Sequence, residues 1–94
     1  MTDPEKAQGS AIVVNSRGMH ARPCHALVRI ALGFQGDVVV ACAGRRANAK
    51  SILDLMTLSA GHGSRLEFQA SGPDAPALVR SLVGLVESGF QETD

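Results

Sequence analysis

Tryptophan and tyrosine are absent from this chain, and only Phe34, Phe68 and Phe90 are aromatic. Stacking on bases needs interleaved aromatics in a basic field, so the composition speaks against nucleic-acid binding. An excess of one charge is missing too, since nine Lys and Arg balance nine Asp and Glu. No global field steers the molecule to DNA or an anionic membrane, although a local patch can still act. Long apolar runs are lacking: stretches such as Val38 to Ala43 fall far short of the ~20 residues of a membrane span. The opening MTDPEKAQGS is polar, unlike a signal peptide, and implies a cytoplasmic protein that does not insert in membranes. Two cysteines, Cys24 and Cys42, are too few for a disulfide framework. They read as small apolar side chains. With no CxxC or HxxxH pair and no Gly-rich cage, neither a metal nor a cofactor is expected.

At 94 residues, 45% of them apolar and 19% charged, the chain is sized for one globular domain with one core. Residues 1–9 read as a loose tail and 10–94 as the domain. SAIVVN supplies a first strand, ended by the turn signal Asn15-Ser16-Arg17-Gly18. Cys24, Leu27, Val28 and Ala31 recur at helical spacing after Pro23, with Gly33 placed to end that helix. DVVVACA is a mostly buried strand. Gly44 turns it into RRANA, its hairpin partner. Ser51 and Asp54 have the spacing of an N-cap and its N3 carboxylate, opening a short helix that Gly61 closes. SRLEFQA alternates strictly as a half-buried strand, and Asp74 caps a last amphipathic helix carrying Leu78, Leu82, Leu85 and Val86. The order β-α-β-β-α-β-α, with one apolar face per element, implies an α+β two-layer sandwich whose sheet is covered on one side.

The chemistry concentrates in RGMHARP, Arg17 to Pro23. A helix starting near Arg22 or Pro23 sets His20 just outside its positive end, where unpaired N–H groups point outward and proline is at home. That end disfavours a cation and suits a neutral ring whose nitrogen can attack. The same end favours an arriving anion by ~0.3 to 1 kcal/mol when exposed. Arg22 carries the planar fork of donors that fits phosphoryl oxygens. The combination describes a nucleophile able to carry a phosphoryl group, for which positioning and charge stabilisation suffice. A surface histidine near a helix start is the plainer reading of the same spacing. His25 reads as a solvated helix residue and His62, between Gly61 and Gly63, as a loop residue.

GMHARP before an apolar helix, followed about thirty residues later by NAKSILDLMTLSAGHGSRLEFQASGPD, closely resembles the histidine-containing phosphocarrier protein HPr family of the bacterial phosphoenolpyruvate phosphotransferase system. The resemblance spans nearly everything beyond the tail. It implies an open-faced sandwich of four antiparallel strands with three helices on one face, acting as a monomer. It implies a stoichiometric carrier rather than an enzyme with turnover. His20 would accept phosphate on Nδ1 from phosphorylated enzyme I and pass it to an EIIA-type protein, with Arg22 holding the phosphoryl group. Ser51 falls on the serine that an HPr kinase/phosphorylase modifies in many members. As an N-cap it is also worth about 1 kcal/mol without any modification.

Met19, Ile52 and Met56 are assigned to an apolar docking patch for partners, and Leu55 to the core. Met19 and the C-terminal ESGFQETD lean toward the nitrogen-related branch of the family, while NAKSI leans toward the kinase-regulated sugar branch. Two other classes compete with the carrier: a non-transferring regulatory protein-binding module of the same fold, and a small-ligand sensor. Against the sensor, no long loop or polar cluster is present to line a pocket.

Overall fold

Alternation of apolar and polar side chains sets the sheet, and the computed structural model, which describes residues 5–91, arranges it as expected. The elements follow the order β1 (Lys6–Ile12), α1 (Ala21–Leu32), β2 (Asp37–Cys42), β3 (Arg45–Asn48), α2 (Ile52–Met56), β4 (Arg65–Ser71) and α3 (Ala75–Glu87), with a 3-10 turn over Gly89–Gln91. The strands lie in the spatial order β1-β4-β2-β3 and every pair is antiparallel. Leu66, Phe68 and Ala70 of β4 alternate inward with Val38, Val40 and Cys42 of β2 on the helix-covered side. Arg65, Glu67 and Gln69 point to the uncovered face, where Arg46 Nη2 donates to Gln69 Oε1 at 3.4 Å. The architecture is a four-stranded antiparallel open sheet with three helices.

The core joins both layers through Leu27, Leu55, Leu66, Phe68 and Leu82, all fully buried. Burying each such side chain stabilises the fold by about 1.5–3 kcal/mol. α3 packs on β1 and β4, while α1 packs on α2 and α3. Phe90, in the turn after α3, closes the same core.

Several boundaries differ from the sequence reading. The first strand begins at Lys6, so Lys6 to Gly9 belong to the sheet, paired with Phe68 to Ser71, and are not tail. Met1 to Pro4 of the expected tail lie outside the described residues. The apolar signal there is weak because β1 is an edge strand and because Gly9 stands where α3 comes closest. A Cβ at Gly9 would sit 2.8 Å from Val79 Cγ1. Val13 and Val14, expected in the strand, follow it. Asp74 holds the N-cap position of α3, but its side chain makes no capping bond and its backbone is left-handed at φ 66. Glu5 reaches across instead, with Oε1 accepting from Asp74 N–H at 3.0 Å. Gly33 is at the end of α1 with an ordinary right-handed φ of −77.

Gly61 does not close α2, which stops at Met56. Thr57 Oγ1 donates to the Asp54 carbonyl at 2.6 Å and Ser59 turns left-handed at φ 52, so the chain leaves the helix well before Gly61. The β2–β3 hairpin turns through Ala43 and Gly44, both at positive φ (49 and 83). This is the backbone demanded by a two-residue turn matched to strand twist.

Candidate functional site

RGMHARP forms a tight turn and the first turn of α1. Asn15 Nδ2 donates to the Gly18 carbonyl at 2.8 Å, and Gly18 N–H donates to the Asn15 carbonyl at 3.1 Å. Gly18 is required twice over. Its φ is +68, and a Cβ there would lie 2.6 Å from the Ala60 carbonyl oxygen and 2.7 Å from Gly61 Cα. The next residue locks the contact, since Met19 N–H donates to the Ala60 carbonyl at 2.8 Å. The segment before α1 is therefore bolted to the segment after α2.

His20 follows as the N-cap of α1, with extended backbone (φ −84, ψ −171) and no capping bond from its half-buried side chain. Its carbonyl accepts the first helical bond, from Cys24 N–H at 3.2 Å. Ala21 and Arg22 thus occupy the first two helical positions, where N–H groups have no acceptor within the helix. Pro23 stands third rather than first, still inside the turn whose N–H would go unused. Arg22 and Arg17 are exposed on this turn. An imidazole nitrogen, free-facing helix N–H groups and a guanidinium fork together can accept and steady a phosphoryl group.

Cys24 is completely buried behind this turn, its Sγ 3.7 Å from the Met19 carbonyl oxygen, which it faces as a weak donor. Burial pushes its thiol pKa up from the ordinary range. Both cysteines are free and buried. Among the described residues no group of His, Cys, Asp and Glu could hold a metal ion.

Of the docking residues, Met19 is only 6% exposed and belongs to the core, because its main chain is held against Ala60. Ile52 is half-buried and Met56 exposed, as an apolar patch needs. The residue sequence reasoning missed is Leu53, 80% exposed on the outer side of α2. Its signal was present, since four of the five residues that follow the Ser51 cap are apolar and a five-residue helix cannot turn all of them inward. Leu55 is fully buried, as expected.

Ser51 is the N-cap of α2, its Oγ accepting from Asp54 N–H at 3.2 Å. The Asp54 carboxylate does not return to the cap residue. Its Oδ2 accepts from Asn48 N–H at 2.8 Å, tying α2 to the end of β3. Concavities on the uncovered sheet face are lined by residues such as Gln8, Val39 and Gln69.

Comparison with known proteins agrees with this geometry. A family model described as "PTS HPr component phosphorylation site" matches residues 7–88. The phosphocarrier protein HPr of Treponema pallidum (strain Nichols) is 38% identical over 80 residues, covering 85% of this chain and 91% of that protein. The phosphocarrier protein NPr of Escherichia coli (strain K12) is 33% identical over 81 residues, covering 85% of this chain and 90% of that protein. In three dimensions, the crystal structure of HPr-C-His from Thermoanaerobacter tengcongensis superposes with a TM-score of 0.87 at 32% identity, over 94% of this chain and 99% of that one. A histidine at a helix N-cap position near an exposed arginine, packed on a sheet of this order and with these relatives, assigns the chain to the HPr family of phosphocarrier proteins.

Proposed function

We propose that this carrier accepts its phosphoryl group on His20, at Nδ1, from phosphorylated enzyme I and delivers it to an EIIA-type protein. The observation that carries the reading is His20 at the N-cap of α1, two residues before exposed Arg22. In the transfer, the ring nitrogen forms a bond to phosphorus while the bond from phosphorus to the donor breaks, and that bond's electron pair leaves with the donor. The N–H groups of Ala21 and Arg22 and the Arg22 guanidinium meet the phosphoryl oxygens. A half-buried histidine beside exposed Arg17 and Arg22 suits a carrier, which has to release its cargo to the next protein.

Leu53 and Met56, with half-buried Ile52, supply the apolar contact on α2 that both partners would use, beside α1. The reading places the protein in the cytoplasm as a monomer. Ser51 is the second modification site, addressed by an HPr kinase/phosphorylase, because a phosphate there would displace the Oγ cap of the docking helix.

The test is direct. Incubation with phosphoenolpyruvate and enzyme I gives an acid-labile phosphoryl adduct that His20→Ala abolishes, and an EIIA-type protein then discharges it. Phosphate that persists on the Ala variant overturns the assignment.

A further inference from the structure

The overall neutrality of the chain conceals an uneven distribution of its acidic residues. Two segments meet at the Gly18–Ala60 contact, residues 6–36 and 55–66, and neither contains a single Asp or Glu. Between them they carry Lys6, Arg17, His20, Arg22, His25, Arg29, His62 and Arg65. All but His62 belong to the site described, to α1 or to the sheet. His62 is assigned no task by the carrier reading.

Its mount is unusually well fixed for a loop residue. The turn Gly61–Ser64 is closed by Gly61 N–H donating to Ser64 Oγ at 3.0 Å and Ser64 N–H to the Gly61 carbonyl at 3.0 Å. Gly63 N–H donates to the Val13 carbonyl, and Val13 N–H to the Ser64 carbonyl, both at 2.8 Å. The turn is thereby stitched to the chain that leads into His20, and Ala60 is bonded to Met19 just before it. His62 itself is exposed, and no atom lies within 4 Å of where a Cβ would stand on either flanking glycine. His62 is thus exposed on a turn held by four hydrogen bonds.

Chain geometry from the Met19–Ala60 bond keeps the Cα atoms of His20 and His62 within roughly 18 Å of each other. That span is an upper limit set by the chain. It fits easily inside a protein interface, whose footprint of about 800 Å² per partner is on the order of 30 Å across. A protein partner that covers His20 can therefore cover His62 as well.

We propose that His62 is a second polar anchor of this face, donating a ring N–H to an acidic group of the protein partner that brings the phosphoryl group to His20. The inference rests on the carrier reading and adds a residue that sets docking rather than chemistry. The partner's class follows from the absence of carboxylates in both segments: an acidic protein surface meets complementary charge here, while a basic one meets repulsion.

Steady-state transfer from phosphorylated enzyme I is measured for the wild type, His62→Ala, His62→Gln and, as an exposed histidine on α1, His25→Ala. His62→Ala raises KM for enzyme I about fivefold, the worth of one lost hydrogen bond, with kcat unchanged. His62→Gln keeps a donor and restores most of the KM, and His25→Ala matches the wild type. An unmoved KM in His62→Ala overturns the proposal, as does an equal rise in the Ala and Gln variants or a fall confined to kcat. Normal phosphorylation with an unmoved KM sinks this inference alone. A wild-type chain that takes no phosphate on His20 sinks the carrier reading and this inference with it.

Discussion

Cys24 shows how one side chain behind the site couples burial to pH. Its thiol is fully buried and faces only the Met19 carbonyl, so the folded state resists the thiolate. A folded pKa raised above the unfolded one means that the folded state holds its proton longer. The stability it contributes is complete below the ordinary thiol range of about 8.5 and declines as pH rises through that range toward the higher folded value. The chain has no tyrosine to superimpose a phenol titration. Urea unfolding at pH 7 and pH 10 should therefore show an alkaline loss of stability that Cys24→Ala reduces. An identical loss in the variant places the alkaline sensitivity elsewhere. The same scale explains Ala43, which adopts φ 49 without a glycine's freedom because its turn partner Gly44 cannot supply both left-handed positions.

At the scale of elements, α2 is the least self-sufficient part of the molecule. Five residues are too short to be stable as an isolated helix. Its ends are held from outside, by Asp54 Oδ2 on Asn48 N–H and by Arg45 Nη1 donating to the Thr57 carbonyl at 3.0 Å. The Ser51–Asp54 spacing was legible, and so was Ser51 as cap. That the carboxylate would reach β3 was not, because the partner lies upstream in a strand whose register the local sequence does not encode. This placement sets up competition. A negative charge at Ser51 stands next to the Asp54 carboxylate. Asp at this position still caps the helix, so the effect to read is the coupling: Ser51→Asp should be less favourable by about 0.5 kcal/mol beside Asp54 than in the Asp54→Asn background, the scale of a repulsion between neighbouring like charges on a helix. A double-mutant cycle by chemical denaturation reads the coupling, and additivity within about 0.3 kcal/mol refutes it.

For the whole molecule, the strictly alternating β4 and the periodic α1 and α3 were readable because each buries one face, and that requirement writes itself into spacing. His20 was readable because glycine and proline flank it. What could not be read is contact between distant segments: Met19 on Ala60, Gly18 on Gly61, Glu5 on Asp74. Those contacts pulled Met19 into the core and made α2 end early. They also explain why the first residues were mistaken for a tail. Lys6 to Gly9 carry little apolar signal, yet they pair in register with Ser71 to Phe68, and Gly9 is the point at which α3 approaches the sheet. Glu5 adds bonds to Gly72 N–H at 2.8 Å and Asp74 N–H at 3.0 Å, fixing the entrance to α3.

A chain beginning at Ser10 loses all of these together, stripping the free edge of β4 over the stretch that includes fully buried Phe68 and leaving α3 without the surface it packs on. Stability of small domains is only about 5–15 kcal/mol. Removal of this half-strand, with the apolar surface it covers, should consume most of that. The truncated chain is expected to melt far below the full chain, or to lack a cooperative transition, in thermal denaturation followed by circular dichroism. It should also lose phosphoryl acceptance, although His20 is intact and about ten residues from the new terminus. A truncated chain that melts within a few degrees of the full one would show that β1 from Ser10 onward is enough to seat α3, and would return Lys6 to Gly9 to the status of a dispensable tail.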